Sequence, residues 1–370
     1  MTYFLMNKDR PALAFDFDKA FLRVIDDRLL PYAMKDFIRD ASEADDPAAL
    51  ESGMAVLRSW LMNRVLLLSR PNAKAILRSA GLPERPSTDE LVRISLSLHA
   101  LSMTDNFYVL QGNEELPFEA VCLRRHFSSG HSFEVSILGK AISASPETMV
   151  ADLLAGGSFP KFWKRNENNI ELWKTDRLKG TVNSACEVEC SQLLDLIGFP
   201  HVTYRKEQIE DYTFSVCSCM CDDDHSLIHM GELLDWQSHT GKPFPEDIQK
   251  QFDRFFPNMC CIDYLLANTD RNRENWGMIA NSENNILGFA PLYDFNLALV
   301  SDLATCSGRP VRIDDQIYEP TGMTYAETVR KYAPTTTIDL SRMDEFPEGM
   351  RERVENIEKQ QMKASVNVNY

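Results

Sequence analysis

The sequence predicts an α+β protein of two lobes that follow a mainly helical N-terminal segment, and the periodicity of its apolar residues carries that expectation. Helical spacing runs through the first hundred residues. Strand-like alternation takes over between about residues 107 and 220, and helical spacing returns from about residue 226. We therefore divide the chain into a helical segment of unassigned role at residues 1–105, a sheet-rich lobe at 106–225 and a helical lobe at 226–370. At 370 residues with 44% hydrophobic side chains, the chain is long and apolar enough for real cores.

In the first segment Ala55, Leu57, Leu61, Val65 and Leu68 fall at near-helical spacing before a stop at Pro71. Glu43 to Pro47 reads as an exposed loop. Gly81-Leu82-Pro83-Glu84-Arg85-Pro86 is a break, after which Ser87 caps a helix starting near Thr88. Ser132 to Leu138 alternates as a strand would, with Phe133, Val135 and Ile137 facing one way. Asn169 to Thr175 does likewise, with Ile170, Leu172 and Lys174 on one face. A helix follows whose stripe is Cys186, Cys190, Leu193, Leu194 and Ile197, closed by Gly198 as an αL cap and by Pro200. Two more strands fit His201–Tyr204 and Tyr212–Cys219.

In the last lobe Ile248, Phe252, Phe255, Met259, Ile262 and Leu266 keep a helical stripe that Pro257 kinks or divides. A polar loop comes next, then a hairpin with strands at Trp276–Ile279 and Ile286–Phe289 around an Asn-rich turn at Asn281–Asn285. Glu345–Met362 reads as an exposed, charged helix.

Composition narrows the function classes. No run of about 18 apolar residues exists, so no membrane span is expected; Trp60 to Leu68 is broken by Asn63 and Arg64. Lys8, Asp9, Arg10 and Asp16 interrupt any secretory signal. Nine cysteines, an odd number, imply reduced thiols and a cytoplasmic protein. A net charge of −16 disfavours direct nucleic-acid binding and leaves room for a basic partner or a locally positive nucleotide pocket.

The most informative segments are Asn268-Thr-Asp-Arg-Asn-Arg-Glu-Asn275 and Pro291-Leu-Tyr-Asp-Phe-Asn296. Phosphoryl transfer requires a group to orient the acceptor hydroxyl, oxygen ligands for Mg²⁺ and cations on the phosphates. Asp270 and Asn275 stand five residues apart in a polar loop after a buried helix, the Asp-x-x-x-x-Asn spacing of kinase catalytic loops. The hairpin turn centres near residue 283, which brings Asn275 opposite the region of Asp294. Upstream, Gly156-Gly157-Ser158-Phe159-Pro160-Lys161 suits a loop whose amides approach phosphates. Lys174 ends an alternating strand, and thirteen residues later Glu187 opens the next helix, where it would pair with that lysine. Each of these has an ordinary reading as a cap, a turn or a snorkelling edge residue. Their order along the chain is what singles them out.

From about residue 150 to 300 the sequence resembles the HipA-like serine/threonine kinase family, a distant variant of the protein-kinase fold. The matching pieces are Gly156–Lys161, Leu172-Trp-Lys174, Cys186-Glu187 leading to Leu196-Ile-Gly198, Asn268–Asn275 and Ala290–Asp294. The resemblance implies ATP and Mg²⁺ as cofactors, a nucleotide-binding small lobe and a catalytic large lobe. It implies that Asp270 orients the acceptor hydroxyl, that Asn275 and Asp294 hold Mg²⁺, and that Lys174 contacts the phosphates. Glu187 takes the place of the glutamate behind that lysine. The strand ending at Cys217–Cys221 would lead into the hinge, where the backbone of Cys219 and Cys221 reads adenine. Two positions depart from the family pattern: Asn272 stands where His is usual, and Cys186 where Asn is usual. Both spare the metal ligands and the base, so retained catalysis with altered tuning is expected. Residues 1–105 do not match the family's small N-terminal subdomain. Some members are toxins held by an antitoxin, so a protein substrate and an antitoxin-like or regulatory partner are implied.

Other readings compete. A pseudokinase-like binding module would use the same nucleotide site without transfer, and a lipid or small-molecule kinase would need the same Asp, metal ligands and Lys. Ser158 would be an autophosphorylation site. Cys217, Cys219 and Cys221 with His225 and His229 suggest zinc, but strand alternation differs from the usual Cys-x₂₋₄-Cys knuckle. No feature singles out one activated thiol for a Cys/His hydrolase. Asp16 and Asp18 read as residues of a surface strand or helix start.

Overall fold

The helical reading of the first hundred residues fails at its very start, where the chain forms three strands. In the computed structural model, which describes residues 1–166, 169–299 and 313–367, β1 (Tyr3–Asn7), β2 (Arg10–Asp16), β3 (Phe21–Val24) and β4 (Phe107–Gln111) make an antiparallel sheet in the order β3-β2-β1-β4. The centre of this sheet is buried on both faces. Leu5, Leu13, Phe107 and Val109 pack with Leu57 and Leu61 in one core, whereas Met6, Tyr108 and Leu110 pack with Ile76 and Ile94 in another. A strand buried on both sides loses the polar–apolar alternation that reveals strands in a sequence. Asp16 is fully buried rather than on the surface, and it accepts the amides of Asp18 and Lys19.

Helices then fill most of the segment, at Phe37–Glu43, Pro47–Asn63, Ala73–Ser79 and Thr88–Ser97. Asp46 caps Pro47–Asn63, and Ser87 forms a reciprocal capping box with Glu90, as its position before Thr88 predicts. The buried stripe of Pro47–Asn63 is Met54, Leu57 and Leu61; Ala55 and Leu68 are exposed.

Ser132–Leu138 is a correction. It contains a wide helical turn at Phe133–Ile137, not a strand. Ser132 and Ser136, four residues apart, both donate to the buried Asp152, which fixes one turn of helix where alternation suggested extended chain. β5 (Lys161–Asn166) and β6 (Asn169–Thr175) form an antiparallel hairpin with Lys161 opposite Lys174.

The chain packs as two units. One comprises 1–177, 218–243 and 279–287; the other comprises 178–217, 244–278 and 288–370. In the second unit the helix Asn183–Ile197 ends at Gly198 with φ +70°, the expected left-handed cap. Glu187 lies in its second turn rather than at its opening. His201–Tyr204 is not a strand: only His201 bridges to Leu292, and β7 (Arg205–Ile209) pairs with β8 (Tyr212–Ser218) instead. Glu246–Leu265 runs as one helix of 20 residues through the buried Pro257, so the proline does not divide it. Its aromatic side packs Phe252 and Phe256 against Trp276. The last helix, Arg351–Asn367, is not simply exposed. Val354 and Ile357 are buried, and Arg353 Nε donates to Leu265 O at 2.8 Å.

The expected hairpin is present as β10 (Gly277–Asn281) and β11 (Ile286–Phe289), joined by β9 (His225–His229) in the order β11-β10-β9. Within the first unit its tip is tied to the N-terminal sheet region. Asn284, left-handed at φ +60° and 5% exposed, donates to Leu30 O at 2.6 Å and Arg28 O at 3.3 Å. Asn284→Ala removes both donors and leaves the carbonyls under-satisfied. It should cost about 1–3 kcal/mol in urea unfolding. Glu283→Ala, next to it but exposed, should stay within about 0.5 kcal/mol.

Candidate functional site

The candidate site of the second unit is built on one buried carboxylate. Asp263, in the last turns of Glu246–Leu265, is 0% exposed and takes four side-chain donors. Arg271 Nε and Nη2 reach its two oxygens at 2.9 and 3.0 Å, Tyr318 Oη donates at 2.6 Å, and Asn268 Nδ2 donates at 2.8 Å. With every lone pair engaged, a buried charge becomes tolerable. Burial alone would lower the Arg271 pKa, but the Asp263 charge and hydrogen bonds outweigh it and hold the guanidinium above its usual value. Burial and the same carboxylate push the Tyr318 hydroxyl well up, so it stays a donor.

Arg271 then organises the loop. Its Nη1 donates to Asn275 O and, at 2.7 Å, to Tyr293 O, the residue before Asp294. Its guanidinium carbon lies 5.1 Å from the centre of the buried Phe295 ring. One side chain thus fixes both segments that the sequence marks for catalysis. Tyr325, whose hydroxyl bonds Asn268 O, closes the other side of the loop.

Within this frame Asp270 and Asn275 meet directly. Asn275 Nδ2 donates to Asp270 O at 2.7 Å and faces its Oδ2 at 3.4 Å. Asn272, the residue in place of the usual His, donates to Asp270 Oδ1 at 3.2 Å. Burial raises the Asp270 pKa; the Asn272 bond opposes this, and the charges of Asp294 and Glu319 add to it. A carboxylate with increased proton affinity suits proton acceptance from a hydroxyl. Asp294 sits at φ +61°, a left-handed conformation that Asp tolerates better than most residues, and its N–H faces Tyr204 Oη at 3.3 Å.

The Mg²⁺ expectation calls on side-chain oxygens. With its amide nitrogen committed to Asp270, Asn275 presents Oδ1 as its remaining polar atom. Asn296 Oδ1 is buried without a hydrogen-bond partner, while Asn183 Nδ2 holds the Asn296 carbonyl at 2.8 Å. With the Asp294 carboxylate, this donor set fits a hard divalent cation.

The remaining residues singled out in the sequence sit on other elements. Glu187 is fully buried in the second unit and accepts from Ser215 Oγ. Lys161 and Lys174 are in the first unit, 9% and 6% exposed, on directly opposed strand positions that share a face. Gly157 adopts φ +83°, and a side chain there would collide with Lys161 Nζ. Gly156 is exposed and Ser158 half-buried in the same loop. The Cys219 N–H donates to Ile170 O at 2.7 Å, which leaves the Cys219 carbonyl among the backbone groups of the hinge reading. Burial raises the Cys219 and Cys221 thiols, and Cys261 to about 12, which leaves them poor nucleophiles. Among the described residues, these cysteines and His225 and His229 form no metal cluster. The sequence reading missed Asp263, Arg271, Tyr318 and Asn296. A lone acidic residue inside the Met259–Leu266 apolar stripe was the available signal for the first.

Solved structures decide the architecture. HipA of Shewanella oneidensis MR-1, from a complex of that toxin–antitoxin system with HipB and operator DNA, matches 99% of this chain and 90% of its own at TM-score 0.55 and 12% identity. The chain has a HipA-like kinase fold. The Helicobacter pylori proinflammatory kinase CtkA matches 58% of this chain and 94% of its own, at TM-score 0.43 and 16% identity. No protein-family model matches. Phosphatidylinositol 4-kinase type 2-beta of Mus musculus and of Rattus norvegicus are each 46% identical over 35 residues, 10% of this chain. The chain covers 8% and 7% of the length of those two relatives. In the HipA-like fold of this chain, the polar loop Asn268–Asn275 described above follows the long helix Glu246–Leu265.

Two outcomes test the site physically. Arg271→Met strands the buried Asp263 charge and should cost about 3–5 kcal/mol in denaturant unfolding. For Asp270 the folded-state pKa lies above the unfolded one, so its charged form is penalised by folding. That penalty is absent below the unfolded pKa, near 3.9 for Asp, and complete above the folded value. Asp270→Asn should therefore raise Tm at pH 7 in EDTA, with the gain shrinking as pH falls through the raised pKa.

Proposed function

We propose that this chain is a HipA-like protein serine/threonine kinase that transfers the γ-phosphate of Mg²⁺-ATP to a hydroxyl. One observation carries the reading: Arg271 bonds the carbonyls of Asn275 and Tyr293, and so locks Asn275 and the residue before Asp294 around Asp270.

Asp270 receives the acceptor's proton as its oxygen bonds to the γ-phosphorus. The bond from that phosphorus to the β–γ bridging oxygen breaks, and ADP leaves. Asn275 Oδ1, the Asp294 carboxylate and Asn296 Oδ1 would hold Mg²⁺, which when bound neutralises charge on the phosphate oxygens. Lys174 and Lys161 concentrate positive charge on one strand face, suited to a polyphosphate. Amides of the Gly156–Lys161 loop would approach those phosphates. Cys219 O and the backbone of Cys221 are the adenine-reading groups left in the hinge reading. Ser158 is the loop hydroxyl for autophosphorylation, because a dianion there would compete with ATP for the same positive charge.

A second reading has support of its own. The 35-residue match to phosphatidylinositol 4-kinases favours a lipid hydroxyl as acceptor, served by the same Asp270 and metal ligands. The likeness to HipA, solved with its partner HipB, favours a regulatory protein partner, while the charge of −16 argues against this chain contacting DNA itself. The eight described cysteines are all free thiols, which suits a reducing cytoplasm. No helix among the described residues is long and apolar enough to cross a membrane.

Radiolabelled γ-phosphate transfer tests the proposal, with the chain itself, a basic protein and phosphatidylinositol vesicles as acceptors. Wild type should label protein, and Asp270→Ala should lose the label while keeping nucleotide affinity within about threefold. Asp294→Ala should in addition weaken Mg²⁺-ATP binding by about tenfold or more. Label confined to lipid would favour the second reading. Nucleotide binding with no transfer to any acceptor would indicate a pseudokinase. Equal label from wild type and Asp270→Ala would overturn the role of Asp270.

A further inference from the structure

The Gly156–Pro160 loop is fastened at both ends by one buried side chain from the N-terminal segment. Arg70 is 2% exposed and lies between the helices Pro47–Asn63 and Ala73–Ser79. Its Nη1 donates to Ala155 O at 3.2 Å, and its Nη2 donates to Lys161 O. Those two carbonyls bracket the glycine-containing loop. Its Nε is buried with no partner, so the guanidinium spends its side-chain hydrogen bonds on the loop ends.

The strap carrying Arg70 is itself pinned. Leu66 N donates to Leu153 O at 2.7 Å, and Asn72 Nδ2 donates to Ser136 O and Ile137 O at 3.1 and 2.9 Å. The nearby buried countercharge is Asp152, held by Ser132 and Ser136 at 2.7 and 2.5 Å. A guanidinium in such a place is expensive: an apolar side chain would avoid both its desolvation and the orphaned Nε–H. What an apolar residue lacks is a planar pair of donors that sets the spacing of two carbonyls. Beyond the second carbonyl, the Lys161 ammonium lies against Gly157.

We infer that Arg70 is a positioning residue that holds the Gly156–Lys161 loop in the shape that receives the polyphosphate of a nucleotide. The N-terminal segment is then a part of the nucleotide site's construction, beyond any role in recruiting a partner. This rests on the kinase reading of that loop.

The test compares wild type with Arg70→Lys, which keeps the charge but reaches only one carbonyl, and with Arg70→Met, which keeps volume alone. Circular dichroism confirms folding. Two quantities are read: binding of fluorescent Mg²⁺-ATP, and hydrogen exchange of the peptide spanning residues 155–161. Both variants should bind nucleotide about fivefold more weakly or worse, the scale of one lost hydrogen bond. Any transfer activity should show a raised KM for ATP with kcat within about twofold. Amide exchange in the loop should quicken without nucleotide. Arg58→Met, which removes an exposed pair with Asp89 and a contact over the Phe17 ring, both outside the loop, should change neither quantity. If Arg70→Met does not fold, Arg70→Lys alone decides. Unchanged affinity and unchanged loop exchange in a folded variant would overturn the inference. A wild type that binds no nucleotide overturns the kinase reading and the affinity claim together. A wild type that binds but does not transfer leaves the inference standing on binding and exchange.

Discussion

The contact between Asp263 and Arg271 is the constraint on which the candidate site of the second unit depends. A carboxylate with no exposure is tolerable only because its oxygens are filled by Arg271, Tyr318 and Asn268. The same arginine has an Nη1 left over, and it spends it on the carbonyls of Asn275, which we propose as a cation ligand, and of Tyr293, the residue before the other, Asp294. Packing and the geometry of the candidate site are therefore one arrangement. Loosening the ion pair would release Asn275 and the Asp294 segment together.

The first unit repeats the device with a different anchor. There a buried guanidinium spans the two ends of the Gly156–Pro160 loop, while Asp152 supplies charge balance nearby. In both places a loop to which we assign a role in the proposed function is fastened by the guanidinium of a buried arginine. Loops with backbone groups turned to a ligand cannot satisfy their own ends by regular secondary structure, so an outside donor pair supplies the rigidity. The Asn284 contacts with Arg28 and Leu30 extend the pattern to the hairpin that joins the two marked segments.

Much of this was legible in the sequence, and the failures have physical causes. The Asp270–Asn275 spacing and the returning hairpin are local signals, and the structure brings Asp270 and Asn275 into contact. The Gly198 cap and the Ser87 box are likewise set by neighbouring residues. β1 and β2 were hidden because both faces are buried, and Ser132–Leu138 misled because its serines answer to Asp152, distant in sequence. Arg70 and Arg271 were missed for the same reason. An arginine's role depends on which carbonyls come within reach of its fork, and that is settled by tertiary packing rather than by spacing. At Cys219, pairing with Ile170 uses the N–H and leaves the carbonyl for the hinge reading, a detail no single strand discloses.

The most direct test of the account is a crystal structure of the chain with Mg²⁺ and a non-hydrolysable ATP analogue. A metal ion about 2.0–2.1 Å from Asn275 Oδ1 and from an Asp294 carboxylate oxygen is expected. The terminal phosphate should face Asp270. A nucleotide remote from Asp270, or a metal held by other side chains, would contradict it.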